Sequence, residues 1–126
     1  KLTDQGRCGE CKEPLGPLAE PIEVGSEEFP DIVNSAKVPI LVDFWADWCG
    51  PCRMAGPEVK RVAENLAGKA IVLKVDTEKH PELAGLFNVQ SIPNFAVLKD
   101  GEVVFQQAGL VPHKQMEHWL ERAAAE

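Results

Sequence analysis

The sequence predicts an α/β domain, a central mixed β-sheet flanked by helices on both faces. Three observations predict it. Two short runs rich in branched apolar residues, 40–46 and 71–75, read as strands buried on both faces. Segments with helical spacing alternate with them. Near the end, Asp100-Gly101 separates two apolar runs and marks a hairpin. Helices alternating with strands and closing on an antiparallel pair require a sheet of mixed direction, covered on both sides.

Each element has its own signal. Ile22-Val24 reads as a short edge strand. Ser26 is placed to cap a helix carrying Phe29, Ile32 and Val33, with Pro30 tolerated in its first turns. Ile40 to Ala46 is the first buried strand. Gly50 to Leu66 spaces Ala55, Val59, Val62, Ala63 and Leu66 along one helical face, with a kink or break expected at Pro57. After the strand from Ile71 to Val75, Pro81 opens a helix holding Leu83, Leu86 and Phe87. Phe95 to Leu98 and Val103 to Phe105 form the hairpin. Pro112 starts a last helix with Met116, Trp119, Leu120 and Ala123 on one face.

A chain of 126 residues, 44% apolar and 26% charged, suits one soluble globular domain. Its net charge of −7 leaves no basic stripe to displace counterions, which argues against nucleic acid as a partner. The longest apolar runs fall far short of the roughly 20 residues a membrane span needs, and no secretory leader is visible. The chain starts at Lys1 rather than Met, so residues preceding it are expected in the native protein. Composition changes near residue 22. Residues 1–21 are rich in Gly and Pro and form a short N-terminal extension; residues 22–126 form the folded domain.

The four cysteines form two Cys-x-x-Cys pairs, Cys8/Cys11 and Cys49/Cys52. Such tight pairs in a core-rich chain point to redox or metal chemistry in a reducing compartment, the cytoplasm, rather than to a secreted disulfide scaffold. Cys49 directly follows a buried strand and opens a helix. Free backbone N–H groups and the positive end of the helix dipole favour an anion there, and a thiolate is the attacking species in disulfide exchange. Three residues apart, the two thiols lie on one side of a turn and reach disulfide geometry with slight relaxation. Pro51 stiffens that turn. Cys49 is expected to be exposed and Cys52 shielded. A zinc half-site and two structural thiols are the alternatives. A zinc site needs about four ligands and rarely lies between a core strand and a long helix, so context favours redox function.

The run Val42-Asp43-Phe44-Trp45-Ala46-Asp47-Trp48-Cys49-Gly50-Pro51-Cys52 resembles the thioredoxin active-site signature, and the resemblance extends from about residue 22 to the end. It implies the thioredoxin fold. Asp43, an acid in an apolar strand, has a carboxyl that burial would shift toward neutrality; a structural ion pair is its bland alternative. The resemblance makes it the group that helps deprotonate Cys52, with Lys74 beside it. It further implies a cis bond between Ile92 and Pro93, the turn packed against the sulfurs, and a target strand pairing with the Ile92 backbone. Ser91 and Asn94 depart from the residues common at their positions. Trp48, Gly50, Pro51, Ala108, Gly109 and Leu110 complete the implied docking rim, while Trp45 is assigned to the core. His80, His113 and His118 are read as surface residues without a catalytic part.

Cys8-Gly9-Glu10-Cys11 resembles half of a zinc knuckle, as in thioredoxin-2 type proteins, which carry two such pairs before the catalytic domain. One pair supplies two of four ligands, so zinc is expected in the intact protein rather than in this chain. A second redox dithiol is the alternative, but no helix follows to activate it. The reading as a whole is a monomeric reductant of protein disulfides, without an organic cofactor, regenerated by a flavin-dependent thioredoxin reductase. An envelope oxidase or isomerase would be marked by a cleavable leader. A non-catalytic binding module would need neither the thiol pair nor Asp43.

Overall fold

A computed structural model describes residues 19–125. Along the chain run β1 (Ile22–Glu23), α1 (Glu28–Ser35), β2 (Ile40–Trp45), α2 (Gly50–Asn65), β3 (Ile71–Asp76), α3 (Pro81–Leu86), β4 (Asn94–Lys99), β5 (Glu102–Ala108) and α4 (His113–Ala125). The five strands form one sheet in the order β1-β3-β2-β4-β5. β3 runs parallel to both β1 and β2, whereas β4 is antiparallel to β2 and to β5.

Strand periodicity divides the core in two. Leu41, Val72, Phe95 and Val97 face α2 and α4, meeting Ala55, Val59 and Val62 of the first and Met116 and Leu120 of the second. Val42, Phe44, Leu73, Val75, Ala96 and Leu98 face the other way, onto Phe29 and Val33 of α1 and Leu83 of α3. Phe87 sits edge-on to Phe29 at 5.6 Å and 5.2 Å from Phe44. Each fully buried Val, Leu, Phe or Met among them is worth roughly 1.5–3 kcal/mol relative to exposure. β2 contributes to both layers and is buried from Ile40 to Phe44. It is the rigid element from which the site is hung.

Several local expectations are corrected. Ser26 does not cap α1: the helix starts at Glu28 without a side-chain cap, and the Ser26 hydroxyl donates instead to Glu82. α2 continues through Pro57 as one helix. α4 begins at His113, with the Pro112 carbonyl accepting from Gln115 and Met116. Leu86 is exposed, because in so short a helix only Leu83 and the following Phe87 share the inward stripe. The hairpin forms as expected, with Asp100 at φ 55° and Gly101 at φ 81°, the left-handed pair that a two-residue turn requires.

Candidate active site

The β2 strand ends at Trp45, and the chain turns through Ala46 to Trp48 before α2 begins. The turn is closed by the Cys49 N–H donating to the Ala46 carbonyl at 3.2 Å. Cys49 is the N-cap residue of α2, and the Cys52 N–H donates to its sulfur at 3.1 Å. A sulfur therefore takes the place usually held by a capping oxygen, where a free N–H and the helix dipole both favour negative charge. Gly50 and Pro51 occupy the first two helical positions, and Pro51 has no N–H to leave unsatisfied. Cys49 and Cys52 are joined as a disulfide, with 5.2 Å between their Cα atoms.

Opposite the sulfurs lies the Ile92–Pro93 turn, whose peptide bond is cis. The Ile92 carbonyl oxygen is 3.7 Å from Cys49 Sγ. This contact and the bonded partner account for a correction: Cys49, expected to be exposed, is 3% exposed, no more open than Cys52 at 6%. Pro93 is buried, and its carbonyl accepts from the Gly109 N–H at 2.8 Å. Gly109 has φ 101°, a conformation that only glycine adopts without strain. That hydrogen bond ties the segment after β5 to the cis turn, with Ala108 in register with Asn94. Asn94 is buried; its amide donates to the Ser91 carbonyl at 3.4 Å and its oxygen accepts from Gln106 at 3.0 Å.

Apolar side chains stand open around the sulfurs. Trp48 is 67% exposed and borders a groove with Thr77, Ala84, Val89 and Ile92. Met54 and Leu110 line a second groove with Val111 and Pro112. A wider groove between α1, α3 and the hairpin holds no titratable or nucleophilic side chain and is not the reactive centre.

Asp43 shares with Leu41 the sheet face covered by α2 and α4. It is 1% exposed, and its Oδ1 has no hydrogen-bond partner. Burial pushes its pKa up to about 7, against the lowering effect of Lys74 and with a smaller raising effect from Glu23. Lys74 is its register partner on β3, and the Lys74 ammonium lies 4.7 Å from the centre of the Trp45 ring. Trp45 is only half-buried; its indole N–H donates to Glu23 at 3.0 Å. His113 also departs from expectation. It is partly covered, and its backbone N–H and then its ring hold the Glu58 carboxyl below the usual range. His80 is partly covered too, against Gly25.

The structure thus gathers Cys49, Cys52, Trp48, Gly50, Pro51, Ile92, Pro93 and Gly109 at one end of the sheet, with Asp43 and Lys74 inside it. Sequence reasoning missed Glu23 and the Asn94–Gln106 pair. Cys8 and Cys11 lie outside the described residues. Among the described residues, no group of three or more His, Cys, Asp or Glu side chains could hold a metal ion. No helix among them is long and apolar enough to cross a membrane.

A family model described as Thioredoxin matches residues 20–122. The chain belongs to the thioredoxin family. Among its relatives, thioredoxin C-3 of Corynebacterium nephridii is 35% identical over 122 residues, covering 97% of this chain and 83% of that protein. Thioredoxin 1 of Chlorobaculum tepidum is 41% identical over 86 residues, 68% of this chain and 85% of that one. A solved mutant thioredoxin from Halobacterium salinarum NRC-1 superposes with a TM-score of 0.80 at 33% identity, covering 89% of this chain and 96% of its own. With the bonded Cys49–Cys52 pair in place, this member of the family is a thiol–disulfide oxidoreductase that reduces protein disulfides. Thioredoxins need no organic cofactor, and membership of the family implies disulfide-containing targets and a reductase as partners in general terms.

Proposed function

We propose the following division of labour among the site residues. Cys49, as thiolate, attacks one sulfur of a target disulfide; the target S–S bond breaks, a Cys49–target disulfide forms, and the other target sulfur leaves as thiolate. Asp43, a carboxylate with Lys74 beside it, then takes the proton of Cys52 and becomes the neutral acid. The Cys52 thiolate attacks Cys49 Sγ, the mixed disulfide breaks, and the target leaves reduced. The protein is left as the Cys49–Cys52 disulfide, for a thioredoxin reductase to reduce. One observation carries this reading: a sulfur at the N-cap of α2 accepts a backbone hydrogen bond, where its anion is favoured. An acid with a pKa of about 7 is matched to moving a thiol proton at neutral pH.

Trp48, Gly50, Pro51, Ile92, Pro93, Ala108 and Gly109 form the docking rim, on which an extended target segment pairs with the Ile92 backbone. Residues 22–126 are the catalytic domain and residues 1–21 an extension of thioredoxin-2 type. In its favour, the match to thioredoxin C-3 takes in nearly the whole chain, whereas the family model begins at residue 20. Cys8 and Cys11 supply two thiolates of a tetrahedral zinc set. The protein acts as a monomer in the cytoplasm, where a reductant can be kept in its dithiol form.

The test is dithiothreitol-driven insulin reduction by the full chain and by Cys49→Ser, with zinc content measured on the same protein. Turnover that disappears in Cys49→Ser supports the redox reading, and turnover that persists ends it. Zinc near one equivalent, lost in Cys8→Ser, supports the extension's role; a zinc-free protein ends that part alone.

A further inference from the structure

Sheet register lines up Glu23, Lys74 and Asp43 across β1, β3 and β2, so their side chains share one face. Trp45, two residues beyond Asp43 on β2, lies on that face as well. The Trp45 indole N–H donates to Glu23 Oε2 at 3.0 Å, and the Lys74 ammonium rests on the Trp45 ring, 4.7 Å from its centre. Asp43 Oδ1 meanwhile lacks any partner. The cation nearest the buried carboxyl is thus held on an aromatic ring, and the ring is held by an acid on the edge strand. A cation over an indole face is attracted by the ring quadrupole, and a carboxylate at the indole edge strengthens the hold by its charge. From the other elements packed on this face, β4 contributes Phe95, α2 contributes Cys52, Ala55 and Val59, and α4 contributes Met116 and Leu120. Among the described residues, Glu23 and Lys74 are therefore the charges that act on Asp43.

We propose that Glu23 is a positioning residue for the resolving step, keeping Lys74 on the Trp45 ring and off the Asp43 carboxyl. This rests on the reading of Asp43 as acceptor of the Cys52 proton. When Glu23 loses its charge, Lys74 is free to close on Asp43. The carboxyl then ionises at lower pH and becomes a weaker base.

The resolving step can be read alone. Cys49 is loaded as a mixed disulfide with thionitrobenzoate, and release of the coloured thiolate by Cys52 is followed against pH in single turnover. Asp43→Asn should remove the limb of the profile near neutrality, and Lys74→Gln should move it up. Glu23→Gln, which keeps an acceptor for the indole, should move it down by about one pH unit, more than the roughly half unit that one exposed and screened charge exerts directly. The downward shift should fall to about half of that in the Lys74→Gln background, because Glu23 acts through Lys74. Carbon NMR titration of the Asp43 carboxyl repeats the measurement without turnover, and oxidised-state thermal melts check each fold. A profile that Glu23→Gln leaves in place, or an equal shift in both backgrounds, overturns the proposal while Asp43 keeps its role. A limb that survives Asp43→Asn overturns the Asp43 reading and this proposal with it.

Discussion

Replacing Asp43 with Asn should make the oxidised protein more stable at alkaline pH and less active. In the unfolded chain the carboxyl titrates near its ordinary value of 3.8; in the fold, burial raises it to about 7. Between those values the native state holds a proton that the unfolded state has lost. Stability therefore falls as pH rises, by about 1.4 kcal/mol per unit, and levels off above the folded value. Across roughly three units the penalty is about 4 kcal/mol at pH 8 and near zero below pH 4. Asn has nearly the same shape and stays neutral throughout. Its stability should thus match the parent at pH 4 and exceed it progressively, by about 4 kcal/mol at pH 8. Urea unfolding of both disulfide forms at pH 4, 6 and 8, with equal m-values, makes the comparison. A difference that stays below about 1 kcal/mol at pH 8, or is as large at pH 4, refutes the account of Asp43 as a carboxyl strained by burial.

Cys52→Ser should carry out the first exchange and stop there, so a Cys49–target mixed disulfide accumulates and is seen as a covalent adduct by mass spectrometry. Trp48→Ala removes an exposed ring, so unfolding free energy should change by no more than about 0.5 kcal/mol, while kcat/KM for a protein disulfide drops about tenfold, as loss of a docking aromatic would give. Gly109→Ala forces a side chain into φ 101°. It should cost about 1–2 kcal/mol in urea unfolding and raise KM for protein targets more than for a small disulfide.

Features were legible in the sequence in proportion to how locally they are determined. The Cys49/Cys52 site needs only a strand, a two-residue spacer and a helix start, all within a dozen residues. Asp43 stood out as an acid in an apolar run, and the hairpin follows from Asp100-Gly101 alone. The failures share a different cause. Ser26 is a good cap by type, but its hydroxyl is taken by Glu82 on another helix. Cys49 loses its exposure to a turn at Ile92, 43 positions away. The His113–Glu58 contact spans 55 positions and the Trp45–Glu23 contact 22. No local pattern announces such pairs, because they exist only once β1 has paired with β3 and α4 has packed on α2. The cis bond at Pro93 came from family resemblance; an X-Pro step in a loop does not announce it.

The buried carboxyl links the protein's stability to its chemistry in a way that selection cannot separate. As the proposed proton acceptor, Asp43 would be a useful base near neutrality only because the fold disfavours its charge, and that same disfavour lowers stability wherever the charge forms. Each unit by which its midpoint falls would stabilise the ionised fold by about 1.4 kcal/mol and weaken the base about tenfold. Closing Lys74 onto Asp43 would do both at once. A sheet that seats Lys74 on Trp45, leaving Asp43 Oδ1 bare, would on this proposal accept the weaker fold and keep the stronger base. The two dense side-chain layers against β2 are what make that tolerable, since a penalty of a few kcal/mol would unfold a domain with a poorer core.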